Sequence, residues 1–133
     1  MTDFVTDTHA LIWYLEDSPR LSVAAKSAFN ACDKGEADIY IPTICLVEII
    51  YLQEKGRIPA DLLTQLEDEL QAGNTGLIIA DLTNEVANTL KRIPRTAVPD
   101  MPDRIIAATA LHLGSPLLSR DRKIQLAVVD TIW

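Results

Sequence analysis

The sequence predicts an α/β domain built on a mostly parallel sheet of about five strands. Three observations carry this. Apolar residues switch repeatedly between runs of three or four with β character and longer stretches with helical spacing. Turn signals at Ser18-Pro19, Gly56, Gly73 to Gly76 and Gly114 separate those segments. Finally, 48% hydrophobic residues in 133 supply enough Ile, Leu, Val and Ala to fill one core. With no internal repeat, linker or low-complexity tract, residues 1–133 read as a single domain.

The elements follow in chain order. Phe4-Val5-Thr6 is a short first strand ending at Asp7, and Thr8 to Leu15 reads as a helix that Ser18-Pro19 stops. Ser22 is placed to cap a second helix through about Ala31. Asp38-Ile39-Tyr40-Ile41 is the second strand, and Pro42-Thr43 leads into a helix from about Ile44 to Lys55 that Gly56 ends. Pro59 starts a helix running to Gln71, with Leu62, Leu63, Leu66 and Leu70 on one stripe. Beyond the turn Gly73-Asn74-Thr75-Gly76, Leu77-Ile78-Ile79-Ala80 is the third strand. Thr83 caps a short helix carrying Val86 and Leu90, Pro94 to Pro99 is a loop, and Ile105 to Leu113 is a strong helix stopped by Gly114. Leu117-Leu118-Ser119 is the fourth strand and Val128-Val129-Asp130-Thr131 the fifth.

Composition narrows the function. Twelve Lys and Arg against 19 Asp and Glu leave a formal charge of −7. That argues against a broad basic face wrapping duplex DNA, because neutralising phosphates with Lys and Arg supplies most non-specific affinity. Any contact with nucleic acid must be local or metal-assisted. The start, Met1-Thr2-Asp3-Phe4, lacks the basic-then-apolar pattern of a secretory leader, so none is expected. The most apolar stretch, Ile39 to Leu52, contains Pro42 and Glu48 and is too short and polar to span a bilayer. Cys32 and Cys45 have neither CxxC nor zinc spacing and read as reduced core thiols of a cytoplasmic protein.

Acids set inside apolar patterns are the informative residues, since charge is rarely buried unless paired or metal-bound. Helical stepping puts Glu48 on one face with Ile44, Cys45, Tyr51 and Leu52; the alternative is a partly exposed Glu at the edge of that stripe. Asp7 ends the first strand, at the sheet edge where ligands bind, or it simply caps the next helix. Thr8 could hold a metal-bound water or be the cap itself. Asp103 opens the strongest apolar helix, where the dipole favours an acid, yet Asp100 already suffices as cap and leaves Asp103 over. Asp121 follows the fourth strand, with Ser119 two residues before it; otherwise it is a turn Asp among arginines. One cluster accounts for all four. Carboxylates that close repel, and with only oxygen donors the natural cation is Mg²⁺ or Mn²⁺. Such a site beside a cleft suits phosphodiester hydrolysis by metal-activated water.

The order Thr6-Asp7-Thr8-His9-Ala10-Leu11-Ile12-Trp13, then Val47-Glu48, then Pro102-Asp103-Arg104-Ile105-Ile106-Ala107-Ala108-Thr109-Ala110, then Leu118-Ser119-Arg120-Asp121-Arg122-Lys123, resembles the PIN-domain ribonucleases, and among them the VapC-type toxins. The resemblance spans essentially the whole chain. It implies a three-layer α/β/α fold and Mg²⁺- or Mn²⁺-dependent endonucleolytic cleavage of RNA. By position it makes Asp7, Glu48 and Asp103 the core metal ligands and Asp121 the more variable fourth acid, acting through water. It also implies a homodimer and a small VapB-like antitoxin that inhibits by placing a segment in or beside the acidic groove, where an arginine would compete with the metal.

Arg104, Arg120, Arg122 and Lys123 flank the third and fourth acids and are the candidates for RNA phosphate contact; equally, they only offset the carboxylates. His9 reads as a substrate-side or surface residue, His112 as structural near a helix C-terminus, and Trp13 and Tyr14 as core or dimer contacts that could otherwise stack on a base. No GxGxxG, GxxxxGK[ST], HExxH or GxSxG pattern occurs. Two other functions fit parts of the chain. A receiver-like signalling domain would use Asp81 and Lys123 but leaves Asp7 without an adjacent partner acid. A catalytically inactive acidic module would only bind a basic partner.

Overall fold

The computed structural model describes residues 2–125 and 129–133. Strands β1 (Thr2–Thr6), β2 (Ala37–Pro42), β3 (Leu77–Ala80), β4 (Leu117–Leu118) and β5 (Thr131–Ile132) form one sheet in the order β3-β2-β1-β4-β5. Each adjacent pair is parallel. Parallel neighbours cannot be joined by a tight turn, so helices carry the crossovers: α1 (Thr8–Leu15), α2 (Val23–Asp33), α3 (Thr43–Glu54), α4 (Leu62–Ala72), α5 (Asn84–Thr89), α6 (Met101–Leu113) and the short α7 (Arg122–Gln125). A 3₁₀ turn, Leu90–Arg92, follows α5. The chain lays β2 and β3 to one side of β1, then returns to place β4 and β5 on the other. The strand order therefore reverses between β1 and β4, and the crevice at the carboxyl ends of such a pair is the natural ligand site of an open α/β sheet.

The inner strands are covered on both faces, so their residues are apolar without strict alternation. Val5, Ile39, Ile41, Leu117 and Leu118 have no exposed surface, and Leu11, Phe29, Ile49, Leu66 and Ile106 close over them from the helices. β4 is only two residues long, so burial of Leu117 and Leu118, worth about 1.5–3 kcal/mol each, holds it more than its ladder does. On α6, Ala107, Ala108 and Ala110 are buried, and the helix packs on β1 and β2. Small side chains allow that approach.

Besides the single turn α7, four helices begin on side-chain caps. Asp7, Ser22, Thr83 and Asp100 accept the N–H of Ala10, Ala25, Val86 and Asp103 at 2.8, 3.1, 3.2 and 3.3 Å. Each such cap contributes about 1 kcal/mol. α3 lacks one; instead Thr43 Oγ1 donates to the Ala80 carbonyl at 3.1 Å, tying the start of α3 to β3.

α1 and β3 have the bounds the sequence predicts, and several other elements differ. α4 starts at Leu62, because Pro59 opens a turn closed by the Leu62 N–H on its carbonyl at 3.3 Å. α6 starts at Met101, four residues before the expected Ile105: Pro102 sits in the first turn, where a missing N–H costs nothing. The fifth strand is Thr131–Ile132; of the predicted Val128–Thr131 segment, Val128 lies outside the described residues and Val129 and Asp130 precede the strand. α7 was not legible, being a single turn.

Gly76 leads into β3 with its carbonyl accepting the Ile39 N–H at 2.8 Å and its N–H donating to Cys32 at 3.1 Å. A Cβ there would stand 2.1 Å from the Ala37 carbonyl oxygen. Backbone cannot yield as a side chain does, so Gly76→Ala is expected to destabilise the fold by about 2 kcal/mol or more, read as a lower urea midpoint at unchanged slope.

Candidate functional site

Asp7 occupies the junction of β1 and α1, is buried, and spends Oδ1 on the Ala10 N–H. It also lines a cleft of about 340 Å³, so cap and cleft acid are one residue in two roles. Across the strand reversal, the register Val5↔Leu117 and Thr6↔Leu118 delivers the end of β4 beside it. Ser119, fully buried, accepts the Asp121 N–H at 3.1 Å, and its hydroxyl is close enough to Asp7 to lower that carboxyl. Asp121 in turn accepts the Lys123 N–H at 2.8 Å, which opens α7. Asp103 lies in the first turn of α6; Asp100 takes the capping bond from the Asp103 N–H, leaving the Asp103 carboxyl to the cleft. Glu48, half-buried on α3, accepts a hydrogen bond from the Thr8 hydroxyl. It does not line the cleft wall, and Tyr51, expected on its face, is exposed.

The electrostatics tie the four acids together. Burial pushes the Asp103 carboxyl up to about 7, and the charges of Asp100, Asp121, Glu48 and Asp7 add to it in that order. Burial likewise raises Asp7, against the opposing effects of the Ala10 N–H, the Ser119 hydroxyl and His9, with Asp121 pushing further up. The buried Cys45 thiol also feels Asp7, Glu48 and Asp103. The acids are thus neighbours without being a closed cage: among the described residues, no group of three or more His, Cys, Asp or Glu side chains is set to hold a metal ion. Asp7, Glu48 and Asp121 are each tied to a local donor, and like charges keep apart.

The basic candidates separate. Arg104 donates to the Ile93 carbonyl at 2.8 Å and to the Leu90 carbonyl at 3.0 Å. It fastens the 3₁₀ turn to α6, which corrects its expected place at the phosphates. Arg122 and Lys123 are exposed on α7 and do not line the cleft. Arg120 does, with its guanidinium 4.8 Å above the Trp13 ring. His9, Trp13 and Arg20 complete the lining. Arg20 was missed, since a lone arginine in the turn after Pro19 carries no sequence signal. Trp13 packs against His9 and Trp133, both at 5.7 Å between centroids, while Tyr14 stacks on Phe29 at 4.3 Å on the other side of α1. Asp81, which a receiver domain would use, is exposed after the edge strand β3, two strands away from β1.

Residues 4–130 match the PIN domain family. Among characterised relatives, the chain is 28% identical over 130 residues to Ribonuclease VapC22 of Mycobacterium tuberculosis (strain ATCC 25618 / H37Rv), covering 94% of this chain and 92% of that protein. Similar folds occur in VapBC2 from Rickettsia felis bound to a DNA fragment from the promoter (TM-score 0.73, 16% identity, 98% of both chains). DNA-bound VapBC from Salmonella typhimurium is equally similar (TM-score 0.73, 20% identity, 99% of this chain and 98% of that one).

A carboxyl held near 7 in the folded state and near 3.8 when unfolded makes the folded state bind the proton more readily. The resulting stability is present below the unfolded value and is lost as pH rises through 7. In EDTA, Asp103→Asn is therefore expected to melt higher than the parent by about 3 °C at pH 8, after discounting for solvent screening, and to match it near pH 4. A parent that melts as high as the variant at pH 8 would contradict the repulsion.

Proposed function

The chain belongs to the PIN domain family, and from that premise we propose that it is a metal-dependent endoribonuclease acting as the toxin of a toxin–antitoxin pair. The observation that carries the reading is that Asp103 feels the charges of Asp121, Glu48 and Asp7, acids from separate elements that stand as neighbours near the strand reversal without forming a closed cage. Nothing in the fold requires it: capping accounts for Asp7, Asp100 and Asp121, but not for Asp103 or Glu48.

The donor set fits a hard divalent cation, being all oxygen with no His or Cys. In this reading Asp7, Glu48 and Asp103 hold Mg²⁺ or Mn²⁺, and Asp121 acts through water. A cation bound there supplies Lewis acidity toward a phosphodiester oxygen and lowers the pKa of water. The chain's residues do the positioning. Thr8 orients Glu48 through its hydroxyl, the Ala10 N–H fixes Asp7, and Ser119 sets the turn from which Asp121 enters. Asp103 and Asp7, both raised by burial and by neighbouring acids, are groups whose ionisation a cation would favour.

Likeness to VapBC assemblies supports a VapB-like antitoxin as partner. A homodimer is supported by α3, whose apolar residues are not confined to its buried face and leave Val47, Ile50 and Tyr51 exposed. No helix among the described residues is long and apolar enough to cross a membrane. Both cysteines are free and buried, in keeping with a cytoplasmic setting for residues 1–133 as one domain.

Purified protein is expected to cleave RNA with Mg²⁺ or Mn²⁺ and to stop in EDTA. Asp7→Asn, Glu48→Gln and Asp103→Asn should each lower the rate by about a hundredfold or more, as removing a stabiliser of transition-state charge does, and Asp121→Asn by less. Millimolar Mn²⁺ should raise the melting temperature of the parent and not of Asp103→Asn. Full cleavage by all three variants would remove the reading.

A further inference from the structure

The cleft has an acidic floor and a differently built wall. Trp13 is 7% exposed, yet three groups converge on it: the exposed His9 ring, tilted 41° at 5.7 Å; Trp133, tilted 58° at 5.7 Å; and the guanidinium of Arg120 at 4.8 Å. Arg20 faces the same space from the α1–α2 turn. His9 and Trp13 are four residues apart on α1, so the wall is one helix face joined by the residue after Ser119 and by the last residue of the chain. We propose that Arg20, Arg120 and His9, with Arg120 and His9 braced by Trp13, form a subsite for one unpaired nucleotide of an RNA strand next to the acids.

This rests on the ribonuclease reading and gives it a substrate class. A guanidinium stacked on an indole keeps its in-plane N–H donors for a phosphate, and the stack fixes its orientation beforehand. Trp13 is thereby a positioning residue. It also gives Arg120, one residue from Asp121, an alternative to folding onto the carboxylates it neighbours. His9 has one side against Trp13 and is otherwise exposed, so its ring can take a base, and stacking tolerates any base. A cleft of about 340 Å³ is at the small end for organic ligands. It suits a single splayed-out nucleotide, whereas duplex RNA is held by shape across two grooves. A net charge of −7 makes such local capture necessary.

Trp13 and Trp133 are the chain's two tryptophans and pack on each other, so tryptophan emission, excited where tyrosine does not absorb, reports this wall alone. The probe is a single-stranded 2′-O-methyl oligoribonucleotide, titrated in Ca²⁺ in place of Mg²⁺ so that binding is read without hydrolysis, beside the same sequence as a duplex. The single strand is expected to change the emission and to bind about tenfold tighter than the duplex. Arg20→Ala and Arg120→Ala should each weaken binding about tenfold. With cleavable RNA they should raise KM while kcat stays within about threefold. Arg120→Lys, which keeps charge and loses the plane, should fall between, and Trp13→Phe, which keeps a ring should Trp13→Ala not fold, should resemble it. Equal binding of duplex, unchanged emission on binding, or unchanged affinity and KM in both Arg variants would overturn the subsite. The two readings fail separately: an oligonucleotide that binds and changes the emission while no RNA is cut removes the ribonuclease and keeps the subsite.

Discussion

The pairing of β1 with β4 is the constraint on which the rest depends. Parallel register sets Thr6 opposite Leu118, and the chain leaves both strands in the same direction, so Asp7 and the Ser119 to Asp121 turn must emerge side by side. That adjacency brings like charges together in a partly buried place, where burial raises Asp7 and the charge of Asp121 pushes it further up. A two-residue strand would not hold against such repulsion through its hydrogen bonds alone. Complete burial of Leu117 and Leu118, beside Val5, supplies the opposing free energy. The site is thus strained electrostatically and secured hydrophobically, and removing charge from it relieves the repulsion without touching the packing that opposes it.

The α/β class and the places of the acids were legible because they depend on local rules. Runs of Val, Ile and Leu ending at Asp7 or Ser119, the Ser22 and Thr83 caps, and Gly114 at a helix end need no knowledge of distant residues. The PIN resemblance added the order of the acids along the chain. What stayed hidden was decided across distance. Arg104 looked like its basic neighbours until its position on α6 placed two carbonyls, of Leu90 and Ile93, within its reach. Arg20 carries no pattern and matters only because the α1–α2 turn brings it to the cleft. Glu48 was placed on the inward face, but the hydroxyl of Thr8 that orients it lies 40 residues away.

The alternatives weighed for single residues turned out not to be exclusive. Asp7 caps α1 with one oxygen and faces the cleft as well. Asp121 starts α7 and also raises Asp103. A cap needs one acceptor atom and a carboxylate has two, with several lone pairs between them. Helix N-termini gathered at the carboxyl end of a parallel sheet therefore provide acids at a shared place as a consequence of topology. The informative acids are those left over when capping is satisfied, here Asp103 behind Asp100 and Glu48 in the middle of its helix.

Helix α1 shows how much one short element carries. From its N-cap, Asp7 enters the floor; Thr8 reaches Glu48; His9 and Trp13, one turn apart, form the wall; Ala10, Leu11 and Ile12 fill the core; and Tyr14 stacks on Phe29 with its hydroxyl on Asp33. Apart from the exposed His9, such a helix has almost no solvent face, so its apolar residues run nearly all the way round instead of forming a stripe. Its axis position sets the separation between the carboxylates and Arg120 at once. An arginine free to move would neutralise the acids it neighbours, and an arginine braced on Trp13 can stay in the cleft as a separate positive group. Opposite charges are kept apart within one small cleft by a tryptophan that is itself almost wholly buried.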